Sequence, residues 1–415
     1  MARVSDGDLP AHVRCCIAGC GPAGAMLGLL LARAGVDVLV LEKHADFLRD
    51  FRGDTVHPST LDILDELGLA QRFLQLPHTE VPVMRAQLPD GEQVEVDLRR
   101  LSGCYRFVAL VPQWDFLDFI TQEAARYPSF HLRRNAEVVG LIDDRGTIDG
   151  VRFHDADGKH EVRALLTVGA DGRGSVTREA AALPMVETSP PMDVLWFRLS
   201  RRPGEPADAA LRLVPGHIVA LFNRQDYWQV AYLIPKGEDA RVRAAGLEAF
   251  QHSVAEILPE LADHVHELQD WDQVKLLTVR SDRLKRWHRP GYLAIGDAAH
   301  AMSPVGGVGI NLAIQDAVAA AYVLWAPLRR GKVSTRDLVR VQRRRELPTR
   351  LIQGMQTLIQ NAILAPTMGA KRPVGLPWAA RLMLGAPWVR DEAARLIAYG
   401  VARPHVRSPE LASTA

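Results

Sequence analysis

The sequence predicts an α/β fold with two domains, one organised around a βαβ unit and the other around an antiparallel sheet. Near the N-terminus, a glycine-rich turn connects an apolar strand to an apolar helix. Strands with alternating apolar residues follow in two later stretches, as expected of antiparallel sheets. Beyond Ala326 the pattern is helical, and prolines interrupt it after Leu351. At 415 residues, the chain is too long for one ordinary domain.

The βαβ unit comes first in the chain. A short strand at residues 14–18 runs into Gly-Cys-Gly-Pro-Ala-Gly and then into a helix at residues 25–34. A second strand, residues 36–41, ends at Glu42, which lies 23 residues after Gly19. In this G-x-G-x-x-G arrangement the glycines permit a tight turn, close approach of a pyrophosphate, and packing of helix on strand. We therefore predict a Rossmann-like dinucleotide site, with Glu42 accepting from a ribose hydroxyl.

The stretch from Gly291 to Ala317 predicts a second ligand-facing element. A buried strand is followed by a sharp turn at Gly296 and Asp297, and a loop with three glycines then leads into a helix rich in Ala and Leu. Glycine allows backbone to approach a ligand closely. The start of a helix offers free N–H groups and a positive dipole end. The pattern thus favours a site for an anion or an electron-rich ring.

The second domain is predicted from the strands between residues 192 and 234, which are aromatic-rich and suggest one antiparallel sheet with an inward face. Residues 247–268 predict a single helix. His264 and His266 are two positions apart on that helix and point to different sides. We interpret them as surface residues rather than metal ligands, because no third ligand is near.

Composition narrows the function classes. The net charge is +1, which gives no global electrostatic case for nucleic acid or an anionic membrane. The basic run Arg343–Arg345 is interpreted as a solvated helix face. The four cysteines form no disulfide or zinc pattern, so we expect a reducing compartment. The polar N-terminus is unlike a signal peptide, and apolar runs such as residues 25–34 fall short of a membrane span. We therefore expect a cytoplasmic protein without an integral membrane segment.

Three motifs occur in one order: the first fingerprint with Glu42, then Gly169-Ala170-Asp171-Gly172, then Gly296-Asp297-Ala298-Ala299-His300 with its glycine loop. Over residues 13–345 this order resembles the single-component (group A) FAD-dependent monooxygenases of the para-hydroxybenzoate hydroxylase type. The resemblance implies a Rossmann-like, glutathione reductase-type FAD domain made of residues 13–80, 105–182 and 280–350, a substrate domain made of strands in 81–104 and an antiparallel sheet in 183–279, and a C-terminal helical segment at 351–415.

The same resemblance assigns cofactor residues. The fingerprint would hold the pyrophosphate of FAD and Glu42 its adenosine ribose, while Asp297 would bind the ribityl side. The Gly306–Asn311 loop would lie along the flavin ring, and Asp171 is associated with both FAD and the nicotinamide nucleotide. Arg52 resembles an arginine beside the flavin, although its pattern alone slightly favours a surface salt bridge. The full set is Gly19, Gly21, Pro22, Ala23, Gly24, Glu42, Lys43, Arg52, Gln113, Asp171, Asp297, Pro304, Gly306, Gly307, Gly309, Ile310 and Asn311.

The chemistry implied is reduction of the flavin by NADPH or NADH, which visits transiently because only one full fingerprint is present. O2 then adds to give a flavin C4a-hydroperoxide, which hydroxylates an electron-rich aromatic or polyketide-like molecule. Such chemistry requires neither a metal nor a triad, and the sequence shows neither. No catalytic side chain is certain; the candidates are Arg52, Pro304 and His300, and for His300 a role in supporting the fold is favoured.

The substrate would lie between the flavin and the second domain. Candidate lining residues are Trp196, Phe222, Trp228 and Tyr232, each at least as well explained as plain core. The apolar residues of the C-terminal segment could cap this pocket, pair with a second subunit, or touch a membrane, but packing against the FAD domain is favoured. They are Leu376, Trp378, Leu382, Leu384 and Trp388.

Two other functions fit the same residues. One is a flavin-dependent reductase or oxidase on the same fold, of the prenyl-reductase kind. The other is a flavin-binding protein that senses or stores a ligand without turnover. A halogenase is disfavoured because the W-x-W-x-I-P motif is missing. The sequence leaves open the substrate, the choice of NADPH or NADH, and whether the protein is a monomer or a homodimer.

Overall fold

The computed structural model describes residues 12–48, 55–88, 90–202, 204, 210–370, 372 and 386–411. Arg52 and the residues Leu376, Trp378, Leu382 and Leu384 lie outside these ranges. The strands of the described part are β1 His12–Ala18, β2 Val38–Leu41, β3 Thr55–Val56, β4 Thr79–Val81, β5 Val83–Gln87, β6 Gln93–Asp97, β7 Val108–Leu110, β8 Phe130–Arg133, β9 Glu137–Asp144, β10 Thr147–Asp155, β11 Gly158–Gly169, β12 Met185–Thr188, β13 Met192–Ser200, β14 Ala210–Val214, β15 His217–Asn223, β16 Tyr227–Pro235, β17 Lys275–Leu277, β18 Ser281–Leu284, β19 His288–Arg289 and β20 Tyr292–Ala294.

The helices connect and cover these strands. Short 3-10 turns add to them, and a π-helical turn, Gln360–Leu364, joins the long helix that ends at Ile359 to the short helix Ala365–Met368. The described helices are α1 Pro22–Arg33, α2 Pro58–Glu66, α3 Ala70–Phe73, α4 Gln113–Ala124, α5 Val176–Ala180, α6 Asp239–Ala244, α7 Leu247–Ile257, α8 Gly309–Arg329, α9 Thr335–Ile359, α10 Ala365–Met368 and α11 Pro387–Tyr399.

The first sheet confirms the predicted α/β domain. Its order is β19-β20-β11-β1-β2-β8, and the pairs from β20 to β8 are parallel. β9 and β10 extend it as an antiparallel meander on β11. β2 and the part of β1 from Cys15 onward are apolar and buried, as expected of parallel strands covered on both faces. Helices α1 and α8 pack together against this sheet.

The second sheet has the order β17-β13-β16-β15-β14-β5-β6, so the strands in 81–104 do join those after residue 183. The pairs among the strands after residue 183 are all antiparallel, as predicted, whereas β14 and β5, which join this part to the strands in 81–104, run parallel. These two strands are remote in the chain and no hairpin constrains their direction. One face of the sheet packs under α7, and the other faces the FAD-type domain.

Two helix predictions need correction. The helix expected over residues 247–268 is α7, which ends at Ile257, followed by a separate 3-10 segment that begins at Pro259. Proline lacks the N–H that would continue the helix. In addition, α9 runs unbroken through residue 350. The division between a third FAD part and a C-terminal segment therefore falls inside a helix.

Two residues assigned to the surface are buried. His264 is 1% exposed, and its Nδ1 lies 3.0 Å from Ser200 Oγ, whereas His266 is exposed as expected. Arg345 is also 1% exposed, unlike its neighbours Arg343 and Arg344. Both side chains are buried because each has a polar partner inside the protein, which hydropathy alone does not reveal.

One helical stretch, Val305–Arg329, is long and apolar enough by length and composition to cross a membrane, which the sequence reading overlooked. In its most apolar window 78% of the residues are buried inside the protein. Its helix, α8, packs against α1, α9 and the first sheet. The apolar composition of this stretch therefore serves the core of the FAD-type domain.

Candidate active site

The three sequence motifs meet at one edge of the first sheet. β1, β11 and β20 are parallel and in register, with Ala18 paired to Gly169, and Gly169 paired to Ala294. The turns that follow these strands therefore lie side by side. Backbone hydrogen bonds continue past the strand ends, from Ala170 N to Ala18 O at 2.8 Å and from Ile295 N to Gly169 O at 2.9 Å. The carboxyl edge of a parallel sheet is where such folds bind ligands.

The first and third fingerprint glycines have the backbone roles that the motif predicts, and the role of the second toward a pyrophosphate stays a prediction. Gly19 has φ +94°, and a Cβ there would lie 2.6 Å from Ala170 O. A Cβ on Gly24 would lie 2.0 Å from Gly19 O, so this glycine lets α1 pack on the preceding turn. Gly21 is the residue before α1, and a Cβ on it would meet nothing within 4 Å. The backbone is thus tightly packed at Gly19 and Gly24, while the space next to Gly21 is open.

Glu42 fixes the fingerprint loop. Its Oε2 accepts from Cys20 N at 2.9 Å, and its Oε1 accepts from His44 N at 3.2 Å. The side chain is only 3% exposed, and Lys43 beside it is exposed. Glu42 therefore holds the end of β2 against the loop. Its contact with a ribose stays a prediction.

Asp171 turns its carboxylate into the protein. It accepts from Ser175 Oγ at 2.6 Å, from Thr177 N at 3.0 Å and from Thr177 Oγ1 at 2.8 Å. These bonds hold the turn before α5, and Ser175 caps that helix through Arg178 N. The geometry favours a positioning role for Asp171 over a direct contact of its carboxylate with a nucleotide.

Arg173, the residue directly after the second motif, is a candidate site residue that was not predicted from the sequence. Its Nε donates to Asp297 Oδ2 at 3.1 Å, which joins the second and third motifs. Its Nη1 is buried without an acceptor among the described residues. A buried guanidinium N–H without a partner is costly, so this atom marks a place for an acceptor such as a phosphate or hydroxyl oxygen.

The glycine loop is tied to the segment before α2. Gly306 and Gly307 have φ +79° and +62°, and Thr55 Oγ1 donates to Gly307 O at 2.8 Å. Asn311 Oδ1 accepts from His57 N at 2.9 Å and from Thr60 Oγ1 at 2.8 Å. The Asn311 side chain therefore connects the start of α8 to the start of α2. The first backbone N–H groups of α8 have no acceptor within the helix, as at any helix start.

The remaining cofactor candidates lie around this cleft. Gln113 is the first residue of α4 and is half-buried, and Pro304 is the half-buried residue that precedes the loop turn. Ile310 and Gly309 begin α8. Roles for these residues toward a cofactor stay predictions.

His300 does not face the cleft. It is 1% exposed, its ring lies 5.0 Å from that of Trp287, and its Nε2 is 2.6 Å from Asp316 Oδ2. Asp316 is fully buried, and its Oδ1 accepts from Arg345 Nε at 2.8 Å. The fold-supporting interpretation therefore suits His300, and its candidacy as a catalytic acid or base finds no support in this geometry.

The four aromatic candidates divide between the two faces of the second sheet. Trp228 and Tyr232 are buried on the face under α7, where the Tyr232 ring lies 5.2 Å from that of Phe250. They are core residues, and their assignment to a substrate pocket is wrong. Trp196 and Phe222, with rings 5.9 Å apart, lie on the opposite face. Alternation of side chains along a strand explains the division.

Val305 belongs to the same apolar cluster as Trp196 and Phe222. Val305 starts the turn that contains Gly306 and Gly307. The cluster also includes residues of the π-helical turn and α10, namely Ile363, Leu364 and Met368. The glycine loop, one face of the second sheet and the end of α9 thus enclose one apolar region.

Two other features lie apart from this region. A cavity of about 690 Å³ opens between α2, residues 101–104 and residues 395–405, and none of the predicted cofactor residues lines it. Trp388, on α11, is 71% exposed, so its proposed role as a pocket cap does not fit. Within the described ranges, no group of three or more His, Cys, Asp or Glu side chains is placed to hold a metal ion.

Other residues of the C-terminal segment pack against the FAD-type domain. Of the five apolar residues for which this packing was predicted, four lie outside the described ranges, and Trp388 is exposed. His57 Nδ1 lies 2.7 Å from Ile397 O, and Arg33 Nη1 donates to Ser408 O at 3.0 Å. Ala394 and Ala398 of α11 join an apolar cluster with residues of β4 and β7. Residues 386–411 therefore form a strap across α2 and α1.

The residues present fit FAD. The open space in front of Gly21 lies at the start of α1, where a pyrophosphate can accept from helix N–H groups. The unpartnered Arg173 Nη1 offers a further donor beside Asp297. The free N–H groups at the start of α8 suit an electron-rich ring edge. The cleft thus combines donors for a diphosphate with donors for a flavin.

Comparison with known proteins agrees with this geometry. Residues 12–353 match the family described as FAD binding domain. The chain is 33% identical over 404 residues to 6-methylpretetramide 4-monooxygenase of Streptomyces rimosus, which covers 96% of this chain and 95% of that protein. It is 27% identical over 332 residues to dialkyldecalin synthase of Streptomyces rugosporus, covering 75% of this chain and 66% of that protein.

Among solved structures, the fold matches PqsL, a probable FAD-dependent monooxygenase from Pseudomonas aeruginosa. The TM-score is 0.74 at 22% identity, covering 86% of this chain and 98% of that chain. The chain belongs to the FAD-binding-domain family of flavin-dependent oxidoreductases. The predicted resemblance to group A monooxygenases and the predicted fold are confirmed.

Proposed function

We propose that this chain is an NAD(P)H-dependent FAD monooxygenase that hydroxylates an electron-rich, polyketide-like aromatic molecule. The observation that carries the proposal is that Val305, at the start of the glycine loop, shares one apolar cluster with Trp196 and Phe222 of the second sheet. A flavin along the loop and an aromatic molecule against that sheet would therefore be neighbours. Proximity of the reacting partners is the main contribution that a protein makes to such chemistry.

The 6-methylpretetramide 4-monooxygenase of Streptomyces rimosus supports the substrate class. The name of that Streptomyces rimosus protein specifies oxygenation of 6-methylpretetramide, and it aligns with nearly the whole of this chain. The apolar, partly exposed character of Trp196, Phe222 and Ile363 suits flat aromatic rings, which gain from contact with aromatic side chains.

FAD, when bound, supplies the redox and oxygen-transfer chemistry. The protein's residues would bind and orient it. We assign the pyrophosphate to the Gly19–Gly24 turn, the adenosine ribose to Glu42 with Lys43 nearby, and the ribityl side to Asp297, with Arg173 as an additional donor. The start of α8 would stabilise negative charge on the ring edge. The apolar cluster around Val305 would exclude water from the reacting centre.

We propose that NADPH or NADH binds transiently and that the chain has no separate domain dedicated to it. A cytoplasmic location is proposed on the cysteines, all four of which are free: Cys15, Cys16 and Cys20 are buried and Cys104 is exposed. We propose a monomer or a homodimer.

The experiment is a screen of phenolic compounds from one to four fused rings for stimulated oxidation of NADPH and of NADH, with product mass followed. The proposal expects yellow protein with bound FAD, and a fused-ring phenol that accelerates nucleotide oxidation and gains one oxygen atom. Purified protein that binds no flavin would overturn it. Tight ligand binding without stimulated oxidation of the nicotinamide nucleotide would instead favour a sensing or storage role. Turnover in which the product gains no oxygen atom would favour a reductase or oxidase.

A further inference from the structure

Three buried glutamines on one side of α9 and its π-helical extension donate hydrogen bonds to residues of the FAD-type domain between Asp282 and Val305. They are Gln353, Gln356 and Gln360, spaced three and four positions apart, and so share one helix face. They are 5%, 1% and 3% exposed. A buried primary amide is costly unless it is hydrogen-bonded. Their partners therefore identify what this face of the helix holds in place.

Gln356 and Gln360 hold the residues at the entry of the glycine loop. Gln356 Nε2 donates to Ser303 O at 3.0 Å and to Val305 O at 2.7 Å. Gln360 Nε2 donates to Ser303 Oγ at 2.5 Å. Ser303 is itself 2% exposed. The segment Ser303–Val305 is thus fixed by side chains from a helix more than fifty positions further along the chain.

Gln353 makes the same kind of bond one step away from the loop. Its Nε2 donates to Asp282 O at 2.9 Å and to Ala301 O at 3.1 Å. These acceptors precede Ser303 and do not belong to the loop turn. Gln353 is therefore a matched internal reference, since it is equally buried and bonded but acts on a neighbouring segment.

The same part of the chain also faces the second sheet. Ile363 and Leu364 of the π-helical turn lie in the apolar cluster of Trp196 and Val305. Gly216 N, between β14 and β15, donates to Thr367 O of α10 at 2.9 Å. One continuous piece, residues 353–368, is thus bonded to the loop on one side and to the sheet on the other. A π-turn inside a helix frequently occurs at a functional site.

We propose that Gln356 and Gln360 are positioning residues for the flavin, and that they do this by fixing Ser303–Val305 between the cofactor and the second sheet. This rests on the proposed function for the flavin's place along the loop. Residues 356 and 360 lie beyond the part of the chain that matches the FAD-binding family, residues 12–353. The C-terminal segment therefore contributes to the flavin site through its hydrogen bonds.

The test compares Gln356→Met, Gln360→Met and Gln353→Met in the flavin-loaded protein. Methionine keeps the length of the side chain and removes the N–H donors. The measurements are the melting temperature, the FAD dissociation constant, the flavin absorption spectrum and its midpoint potential. We expect all three variants to lower the melting temperature. Gln356→Met and Gln360→Met should also weaken FAD binding by up to about tenfold, because FAD binding must then order the released Ser303–Val305 segment, and should shift the spectrum and potential.

Gln353→Met should leave the flavin spectrum and potential at the wild-type values. The proposal is overturned if Gln356→Met and Gln360→Met lose only thermal stability, or if Gln353→Met shifts the flavin signals equally. Wild-type protein that binds no FAD would count against the proposed function instead. The two failures are therefore distinguishable.

Discussion

Nε2 of His300 lies 2.6 Å from Oδ2 of Asp316 in the interior of the FAD-type domain. The same carboxylate accepts from Gly296 N at 3.0 Å and from Arg345 Nε at 2.8 Å. Burial raises the pKa of Asp316, but the charges and hydrogen bonds of His300 and Arg345 outweigh burial, so its pKa lies below the usual range. Asp316 therefore links the turn after β20 to α8 and α9. This linkage fixes the backbone that carries Asp297.

Removal of one partner should be costly. Arg345→Met would leave Asp316 buried with one cation fewer, and breaking a buried ion pair costs about 3–5 kcal/mol. We expect a large fall in melting temperature. Arg343→Met, two positions away on the exposed side of α9, is the control and should change little. Equal melting temperatures for the two variants would show that the buried pair does not stabilise the fold.

The stabilisation by Asp316 has a defined pH dependence. A carboxylate with a lowered folded pKa contributes stability above its unfolded pKa, about 3.9, and this contribution is lost as the pH falls through the folded value.

His57 predicts pH-dependent release of the C-terminal strap. Burial lowers the pKa of His57 to about 4, against a smaller opposing effect of its bond to Ile397 O. A His with a lowered folded pKa is neutral when packed and gains a proton when released. The contribution of neutral His57 to the stability of the packed strap is therefore complete above about pH 6.5. It falls as the pH drops from there toward about 4. At pH 5.5 the released state should gain about tenfold relative to pH 7.5.

Amide exchange of residues 394–400 measures this release. A His57→Gln variant keeps the nearby His405–Glu66 contact and removes the titrating ring, so its exchange should lose most of the pH dependence. Wild-type exchange that is equal at the two pH values, after correction for the intrinsic rate, would disprove the role of His57.

The fingerprint glycines should respond differently to alanine. In Gly24→Ala the new methyl group would lie 2.0 Å from Gly19 O, so the apoprotein itself should lose stability. In Gly21→Ala the methyl group enters open space at φ −71°, so the apoprotein should melt as wild type does. If the pyrophosphate lies where we propose, that methyl group would occupy its place, and FAD affinity should fall at least about tenfold. Unchanged affinity in Gly21→Ala would refute the assigned position of the diphosphate.

Asp297→Ala tests the third motif. We expect severe loss of FAD retention with a nearly unchanged fold, because Asp297 is partly exposed and bonds only Arg173 among the described side chains. Asp143→Ala is the control, since Asp143 forms a similarly exposed pair with Arg289 at 2.9 Å outside the cleft. Flavin occupancy measured by absorbance should fall only in the first variant. Full occupancy in Asp297→Ala would count against the assignment of this motif to the cofactor.

The convergence of the three motifs was predictable, because each glycine turn follows an apolar strand and parallel strands end at one edge. What the sequence did not reveal are contacts between remote segments. Gln356 and Arg345 look like ordinary polar residues of a helix, yet each is 1% exposed. The spacing of three and four positions between Gln353, Gln356 and Gln360 indicates that they share one helix face, but it does not indicate that this face is buried. Trp228 and Trp196 could not be assigned to faces until the pairing of β13 with β16 was known.

The central claim is that FAD and O2 act together on an aromatic substrate in this site. One protein that this chain resembles at 27% identity is named as a synthase, so the reaction itself must be measured. The direct measurement is turnover of the best phenol from the screen under ¹⁸O₂, with product analysed by mass spectrometry. The account predicts one ¹⁸O atom in each product molecule, and none when ¹⁸O is supplied only as water. A product without ¹⁸O from O2 would contradict it.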